Sequence, residues 1–224
     1  VCPKCTALSS IEEKGFFDFI ESLGVDARRS VRDVISPYEL DVYIPSMKIA
    51  FEFDGLYWHR DERKNPSYHL NKTVLCEEKG IHLIHIFESD WLLKPDIVKS
   101  RIRNLLGVWE NVVYARQCRV VEVPSSDADR FLDENHIQGK CVSSVRLGLE
   151  WNGGLVSLMT FFPSRYKSKL HPCEWELVRF ANRLNYHIPG AASRLLKAFE
   201  RRFDSPPSIV SYADRRWSQG GVYR

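Results

Sequence analysis

Three carboxylates crowd two short strand-like segments. Asp41 lies in Leu40-Asp41-Val42-Tyr43-Ile44, and Glu52 and Asp54 stand two residues apart in Ile49-Ala50-Phe51-Glu52-Phe53-Asp54. Acids gathered this way repel one another and lose hydration unless a cation compensates. Several such oxygens near one point suit a hard divalent ion, Mg2+ or Mn2+. The alternative is a solvated strand face with scattered charges. The flanking Phe51, Phe53, Leu56, Tyr57 and Trp58 weigh against it, because they set the acids at the rim of a core. His59 follows Asp54 by five residues, and a neutral imidazole can accept a proton near pH 7. A second metal candidate is Cys2-Pro3-Lys4-Cys5, half of a four-ligand zinc set. Its missing half is expected upstream of Val1; otherwise Cys2 and Cys5 are exposed thiols at a frayed end. Cys76, Cys118, Cys141 and Cys173 are scattered singly. With no disulfide framework, a reducing cytoplasm is the expected compartment.

The elements that must position these residues are legible from periodicity. Ser10 precedes Glu13 at capping-box spacing, which predicts a helix over Ile11 to Leu23 ended by Gly24. Arg28, Arg29 and Arg32 read as a polar connection. Leu40 to Ile44 and Lys48 to Asp54 read as a hairpin, with Ile49, Phe51 and Phe53 on one face and Ala50, Glu52 and Asp54 on the other. Tyr68 to Lys79 reads as a helix with Leu70, Val74 and Leu75 as its apolar stripe and Cys76 in the core. Gly80 ends it, Ile81 to Phe87 is a strand, and Pro95 to Leu106 is a helix. The order is that of an α/β layered domain. Beyond Gly107 the prediction is a strand over 112–123, a helix over 127–135, a hairpin about Asn152-Gly153-Gly154, a strand over 175–180, a helix over 190–203 and a strand over 208–212.

Composition bounds the rest. The chain has 224 residues, 44% hydrophobic and 27% charged, and a net charge of +3. These values exclude disordered and collagenous classes, and no apolar run approaches the roughly 18 residues that cross a bilayer. The small net charge hides a division. Residues 1–111 hold 15 Lys/Arg and 18 Asp/Glu, whereas residues 112–224 hold 17 and 11. An acidic half tied to a basic half fits a catalytic module joined to a polyanion-binding one; chance is the alternative. Arg165, Lys167, Arg179, Arg194, Arg215 and Arg216 are interleaved with Tyr166, Trp175, Tyr186, Tyr212 and Trp217, a mixture that grips phosphates and stacks on bases. The expected domains are a zinc-site remnant over 1–9, a first domain over 10–108 and a basic α/β domain over 112–224. Val1 at the start and Tyr223-Arg224 at the end read as cut points in a longer pattern.

A helix with a glutamate, an Asp on a strand, and a second strand running into Gly55-Leu56-Tyr57-Trp58-His59 resemble the very-short-patch-repair-like (Vsr-like) branch of the PD-(D/E)xK nucleases. Gly80-Ile81-His82-Leu83-Ile84-His85-Ile86-Phe87-Glu88 resembles that family's ending of glycine, apolar strand and acid. The run Glu52-Phe53-Asp54-Gly55 with Trp58-His59 resembles most closely its phage and mobile-intron homing endonucleases. The resemblance covers roughly residues 10–106. It implies a central mixed sheet flanked by helices and Mg2+-dependent hydrolysis of double-stranded DNA. Asp41 matches the metal-binding aspartate and His59 the catalytic histidine. Glu13 is the choice for the helix glutamate, with Glu12 its rival. Glu52 stands where the superfamily has its second acid, and Asp54 replaces the usual lysine, leaving that work to His59. Lys72, on the following helix, would contact a backbone phosphate or be a solvated lysine; Arg165, Lys167, Arg215 and Arg216 would hold DNA. A homodimer would suit cleavage of both strands. The second half loosely resembles acyltransferases of the GNAT type, with Gly190 opening a helix where a pyrophosphate could lie. The competing readings are a nucleic-acid modification protein with an acyltransferase-like second domain, and a non-catalytic DNA-binding protein with a relict nuclease fold.

Overall fold

Two stretches of alternating apolar residues each organise a sheet, and the chain accordingly forms two units. The computed structural model describes residues 3–55, 68–164 and 173–217. The first unit takes residues 1–95 and 214–221, and the second takes 96–213 and 222–224. The division falls at Pro95, one helix earlier than the expected boundary at Gly107, and the segment from Asp214 returns to the first unit. The charge division survives this regrouping. The first unit holds 14 Lys/Arg against 17 Asp/Glu, and the second holds 18 against 12. Both units combine helices with sheet, so the protein is of the mixed α and β class. Among the described residues, no helix is long and apolar enough to cross a membrane.

In the first unit, α1 spans Pro3–Ser22. It runs through the Ser10/Glu13 capping-box spacing instead of starting there, so residues 3–9 belong to the helix. Gly24, at φ +72, follows it and supplies the left-handed conformation common after a helix. The polar connection turns out to be a strand, β1 (Arg28–Val31), paired antiparallel with β2 (Leu40–Ile44). β1 is an edge, so its arginines stay exposed while Val31 alone turns inward, and an exposed edge shows no alternation to read. A 3-10 turn, Pro45–Met47, leads into β3 (Ile49–Asp54). Then come α2 (Tyr68–Glu78), β4 (His82–Phe87) and a short helix the sequence did not announce, α3 (Glu88–Leu93). The sheet order is β1-β2-β3-β4, with β3 and β4 parallel.

The alternation along β3 sorts the two faces. Phe51 and Phe53 pack against Phe16 of α1, at ring separations of 5.8 and 5.5 Å. Trp91 of α3 closes on Phe16 at 5.5 Å and on Phe53 at 6.5 Å. Such pairs each add roughly 0.5–1.5 kcal/mol beyond area burial. On the other face Ala50 joins Tyr43, Leu83 and Cys76 of α2 in a second cluster. The expected stripe of α2 is its buried face only in part: Leu75 packs against this cluster and Cys76 lies in it, but Leu70 is 64% exposed and Val74 41%, and Lys72 is buried instead. The physical reason is a charge beneath the helix, described below.

The second unit begins with α4 (Pro95–Leu105), followed by β5 (Asn111–Val112), a 3-10 turn over Ala115–Gln117 and β6 (Arg119–Glu122). The single strand expected over 112–123 is therefore two, broken by that turn. α5 (Ser125–Asn135), β7 (Val145–Trp151), β8 (Gly154–Pro163) and β9 (Trp175–Asn182) follow. β10 (Tyr186–His187), α6 (Ala191–Glu200) and β11 (Ile209–Ser211) complete it. Five strands form one sheet in the order β11-β9-β8-β7-β6. Asn152 and Gly153 both have positive φ, 50° and 76°, which is what a two-residue hairpin turn requires. α6 covers one face, where Phe161 stacks on Phe199 at 3.7 Å. α5 covers the other through Phe131 and Leu132 against Leu158 and Ala181. Gly148 lets β7 and β8 close under α5, because a Cβ there would lie 2.8 Å from Val123 Cγ2 and 3.3 Å from the Ser157 carbonyl. Gly148→Ala is expected to cost about 1–3 kcal/mol by overpacking, measurable by chemical denaturation.

Candidate functional site

The hairpin register brings the acids together. Val42 pairs with Phe51, and Tyr43 with Ala50. One step further along that antiparallel ladder sets Asp41 opposite Glu52. Their contacts hold them there. The Asp41 N–H donates to Glu52 Oε1 at 3.3 Å, and the Phe53 N–H donates to Asp41 Oδ2 at 2.8 Å. Glu52 is only 5% exposed. Its Oε2 accepts a hydrogen bond from Lys72 Nζ, and the two form an ion pair. Lys72 is 2% exposed, so it is neither the solvated lysine nor the phosphate contact that the sequence suggested: its ammonium is buried against Glu52. This pair also explains the face α2 buries: a sunken carboxylate fixes the helix rotation more firmly than Leu70 and Val74 do.

Burial, opposed by the Phe53 N–H and Lys72 and reinforced by Glu13 and Asp54, pushes the Asp41 carboxyl up to about 6. Burial, with repulsion from Asp41, pushes Glu52 up to about 8 in spite of Lys72. Both acids thus hold protons above the usual carboxylate range, chiefly because burial deprives the charged forms of water.

The structure also separates the two helix glutamates. Glu12 accepts a hydrogen bond from the Trp91 indole at 3.2 Å. Glu13 lies 3.6 Å from Arg29, and its charge acts on Asp41. Asp54, on the same strand face as Glu52, meets a residue that sequence reasoning had left as ordinary strand. His85 Nδ1 lies 2.9 Å from Asp54 Oδ2, and its Nε2 lies 3.5 Å from Thr73 Oγ1. The parallel register of β3 with β4 sets His85 beside Glu52; the signal was its placement two residues from Leu83 on the α2 side. A cavity of about 260 Å3 opens here, lined by Leu70, Thr73, His82, His85, Arg215 and Arg216.

The remaining predicted residues are dispersed. His59, Cys2, Arg165 and Lys167 lie outside the described residues, and Cys5 falls within α1. Arg215 and Arg216 belong to the first unit. Arg215 is exposed, 3.2 Å from Glu77. Arg216 is committed to Asp90 and Asp214 at 3.0 and 2.8 Å, with its guanidinium over the Phe87 ring. Glu88, the expected closing acid, is buried at the start of α3.

Among the described residues no three His, Cys, Asp or Glu side chains form a ready-made metal cage. Mg2+ does not require one. It is commonly held by one or two carboxylates together with substrate phosphates and water. Asp41 and Glu52 fit that need: hard oxygen donors, paired across two strands, in surroundings that favour added positive charge. Comparisons with protein-family models, curated proteins and solved structures returned no match.

Proposed function

We propose that the protein is a Mg2+-dependent DNA endonuclease of the Vsr-like PD-(D/E)xK kind, with its hydrolytic site on the first unit. The observation that carries this reading is the Asp41–Glu52 cross-strand pair with Lys72 buried against it. Asp41 and Glu52 would hold the ion, and Lys72 fixes the Glu52 carboxylate. The ion would supply Lewis-acid polarisation of the phosphate and a more acidic water. Glu13 adds a third negative charge near Asp41. His59 keeps the role its position suggests, taking a proton from water or steadying the phosphate. The second unit, with its excess of Lys and Arg, would engage the DNA backbone, which confers affinity without sequence choice.

The test is nicking of supercoiled plasmid with and without Mg2+. Wild type is expected to cut only with the ion, and Asp41→Ala and His59→Ala are each expected to lose at least about 100-fold in rate. No cutting on any DNA, or unchanged cutting by both variants, would refute the assignment. One observation favours a second reading, a DNA-binding protein with a relict site: Lys72 already gives Glu52 an internal cation. Calorimetry with Mn2+ separates the two, since a relict site takes up no ion while DNA binding persists.

A further inference from the structure

We propose that the second unit carries a stacking platform for the unpaired bases of a single-stranded nucleic acid, built from Trp109 and Tyr114 on the outer face of the β5–β10 ribbon. This inference does not rest on the endonuclease reading: it draws only on residues of the second unit, and its test is read without cutting.

The register sorts the two faces of this ribbon. β5 and β10 run parallel, with Val112 opposite His187, and opposed residues share a face while successive ones alternate. Val113 and Ile188, the next residue on each strand, turn inward to the core that α6 covers. Val112 and His187 therefore turn outward. Tyr114, two residues beyond Val112 in extended backbone, returns to the same outer face. Trp109 reaches that face from just before β5. Its indole lies flat on the His187 imidazole, with ring centroids 4.0 Å apart and planes 5° from parallel. Trp109 is 46% exposed, Val112 47% and Tyr114 46%, so one face gathers three large apolar side chains in water.

Each ring is braced on one side and open on the other. His187 covers one face of Trp109, and the indole N–H donates to the Asn104 carbonyl at 3.4 Å. The exposure of Trp109 therefore falls on its opposite face. Burial holds His187 below the usual histidine range, so the brace is a neutral ring near pH 7. The Arg116 guanidinium lies 4.9 Å from the centre of the Tyr114 ring. Rings fixed in this way lose little freedom when a third ring stacks on them. Charge and hydrogen bonding choose the occupant. Arg116 is exposed and pairs with no carboxylate among the described residues. Glu110, the neighbouring acid, is offset by Arg103 at 3.6 Å. The unit as a whole holds 18 Lys/Arg against 12 Asp/Glu. Flat apolar faces in a positive field suit a polyanion that offers flat rings, which is a strand with its bases unpaired. A peptide strand added to the edge of β5 fits less well. The N–H groups of Asn111, Val113 and Ala115 serve the β10 side, and on the outer edge the Tyr114 N–H is already taken by Gln117 Oε1 at 3.2 Å.

Fluorescence anisotropy of labelled oligonucleotides of about 12 residues, with the full chain in EDTA, tests the platform. Wild type is expected to bind oligothymidylate at least about tenfold more tightly than an abasic strand of equal length, which keeps the phosphates and lacks the bases. Trp109→Ala and Tyr114→Ala are each expected to weaken oligothymidylate by about tenfold. Both should bind the abasic strand, and a duplex whose base faces are covered by their neighbours, within about twofold of wild type. Oligouridylate measured beside oligothymidylate tells whether RNA or DNA is the better occupant. Val112→Asp alters an exposed side chain and places a negative charge between the rings. It is expected to weaken oligothymidylate by about tenfold, and it keeps the proposal testable if an aromatic variant fails to fold. Asp41→Asn should bind oligothymidylate as wild type does, because the hydrolytic site takes no part. A wild type that does not prefer oligothymidylate to the abasic strand overturns the platform. So does Trp109→Ala or Val112→Asp binding oligothymidylate within twofold of wild type, or an equal loss by Trp109→Ala on the abasic strand. A wild-type dimer that Val112→Asp dissociates in sedimentation, with no preference for bases, would assign the face to a second copy of the chain instead.

Discussion

Lys72→Met is expected to destabilise the first unit by about 2 kcal/mol at pH 9.5, because Glu52 ionises in the wild type above about pH 8 but without the ammonium must stay protonated or be buried as an unpaired carboxylate. Glu52 is 5% exposed and Lys72 2%, so water cannot replace the lost ammonium. The loss should shrink toward pH 5.5. Burial and repulsion from Asp41 already raise Glu52 to about 8, and below that value the carboxyl carries its own proton and no longer needs the cation. Glu52→Met/Lys72→Met should recover most of the stability, since two packed apolar side chains replace a costly pair. It should not recover cutting, because one of the two proposed metal ligands has gone. A four-member denaturation cycle at pH 5.5 and pH 9.5 measures the coupling. A cost below about 1 kcal/mol for Lys72→Met at pH 9.5 would mean that the pair does not hold α2 in place.

The same pair marks where the sequence stopped being legible. The β2–β3 hairpin could be read from alternation alone, and with it the shared face of Glu52 and Asp54. Both lie within a few residues of their determinants. The rotation of α2 could not be read, because Leu70 and Val74 compete as a plausible stripe and the deciding interaction spans twenty residues to Glu52. His85 was missed for a similar reason: its pairing to Asp54 follows from the parallel register of β3 and β4, which no local pattern encodes. β1 was missed because an exposed edge strand with Arg28, Arg29 and Ser30 outward carries no alternation. The choice between Glu12 and Glu13 depended on which way α1 turns toward Trp91, and that is set by the aromatic cluster around Phe16. Local pattern therefore found the acids, and tertiary packing chose their partners.

Asp41→Asn is expected to make the protein more stable and inactive together. The sign follows from the direction of the shift. The Asp41 carboxyl is raised from 3.8 to about 6, so between those values the folded state keeps a proton that the unfolded chain has released. Stability therefore falls as pH rises through that window, by about 3 kcal/mol for a shift of this size. Asn carries no charge to bury, and its Oδ1 can still accept the Phe53 N–H. Its amide hydrogens, left without acceptors, return roughly 1–2 kcal/mol of that gain. Asp41→Asn should thus exceed wild type by about 1–2 kcal/mol at pH 8 and lose its advantage near pH 4. Removing the Asp41 charge also relieves Glu52, which it helps to raise, so the gain should persist to pH 8 and not level off at pH 6. Under the proposed function Mg2+ would offer the wild type the same relief by another route: it should stabilise wild type at pH 8 and leave Asp41→Asn unchanged. Plasmid nicking by the variant should drop by about 1000-fold, the scale of several kcal/mol of lost Lewis-acid assistance. Denaturation at pH 4 and pH 8 with and without Mg2+, beside the nicking assay, tests each part. A variant no more stable than wild type at pH 8, or one that still cuts, would show that the buried charge at Asp41 is not retained for a metal ion. A variant that is stable and inactive would identify the carboxylate as a residue kept at a cost to folding, which is what an acid buried beside another acid requires as its explanation.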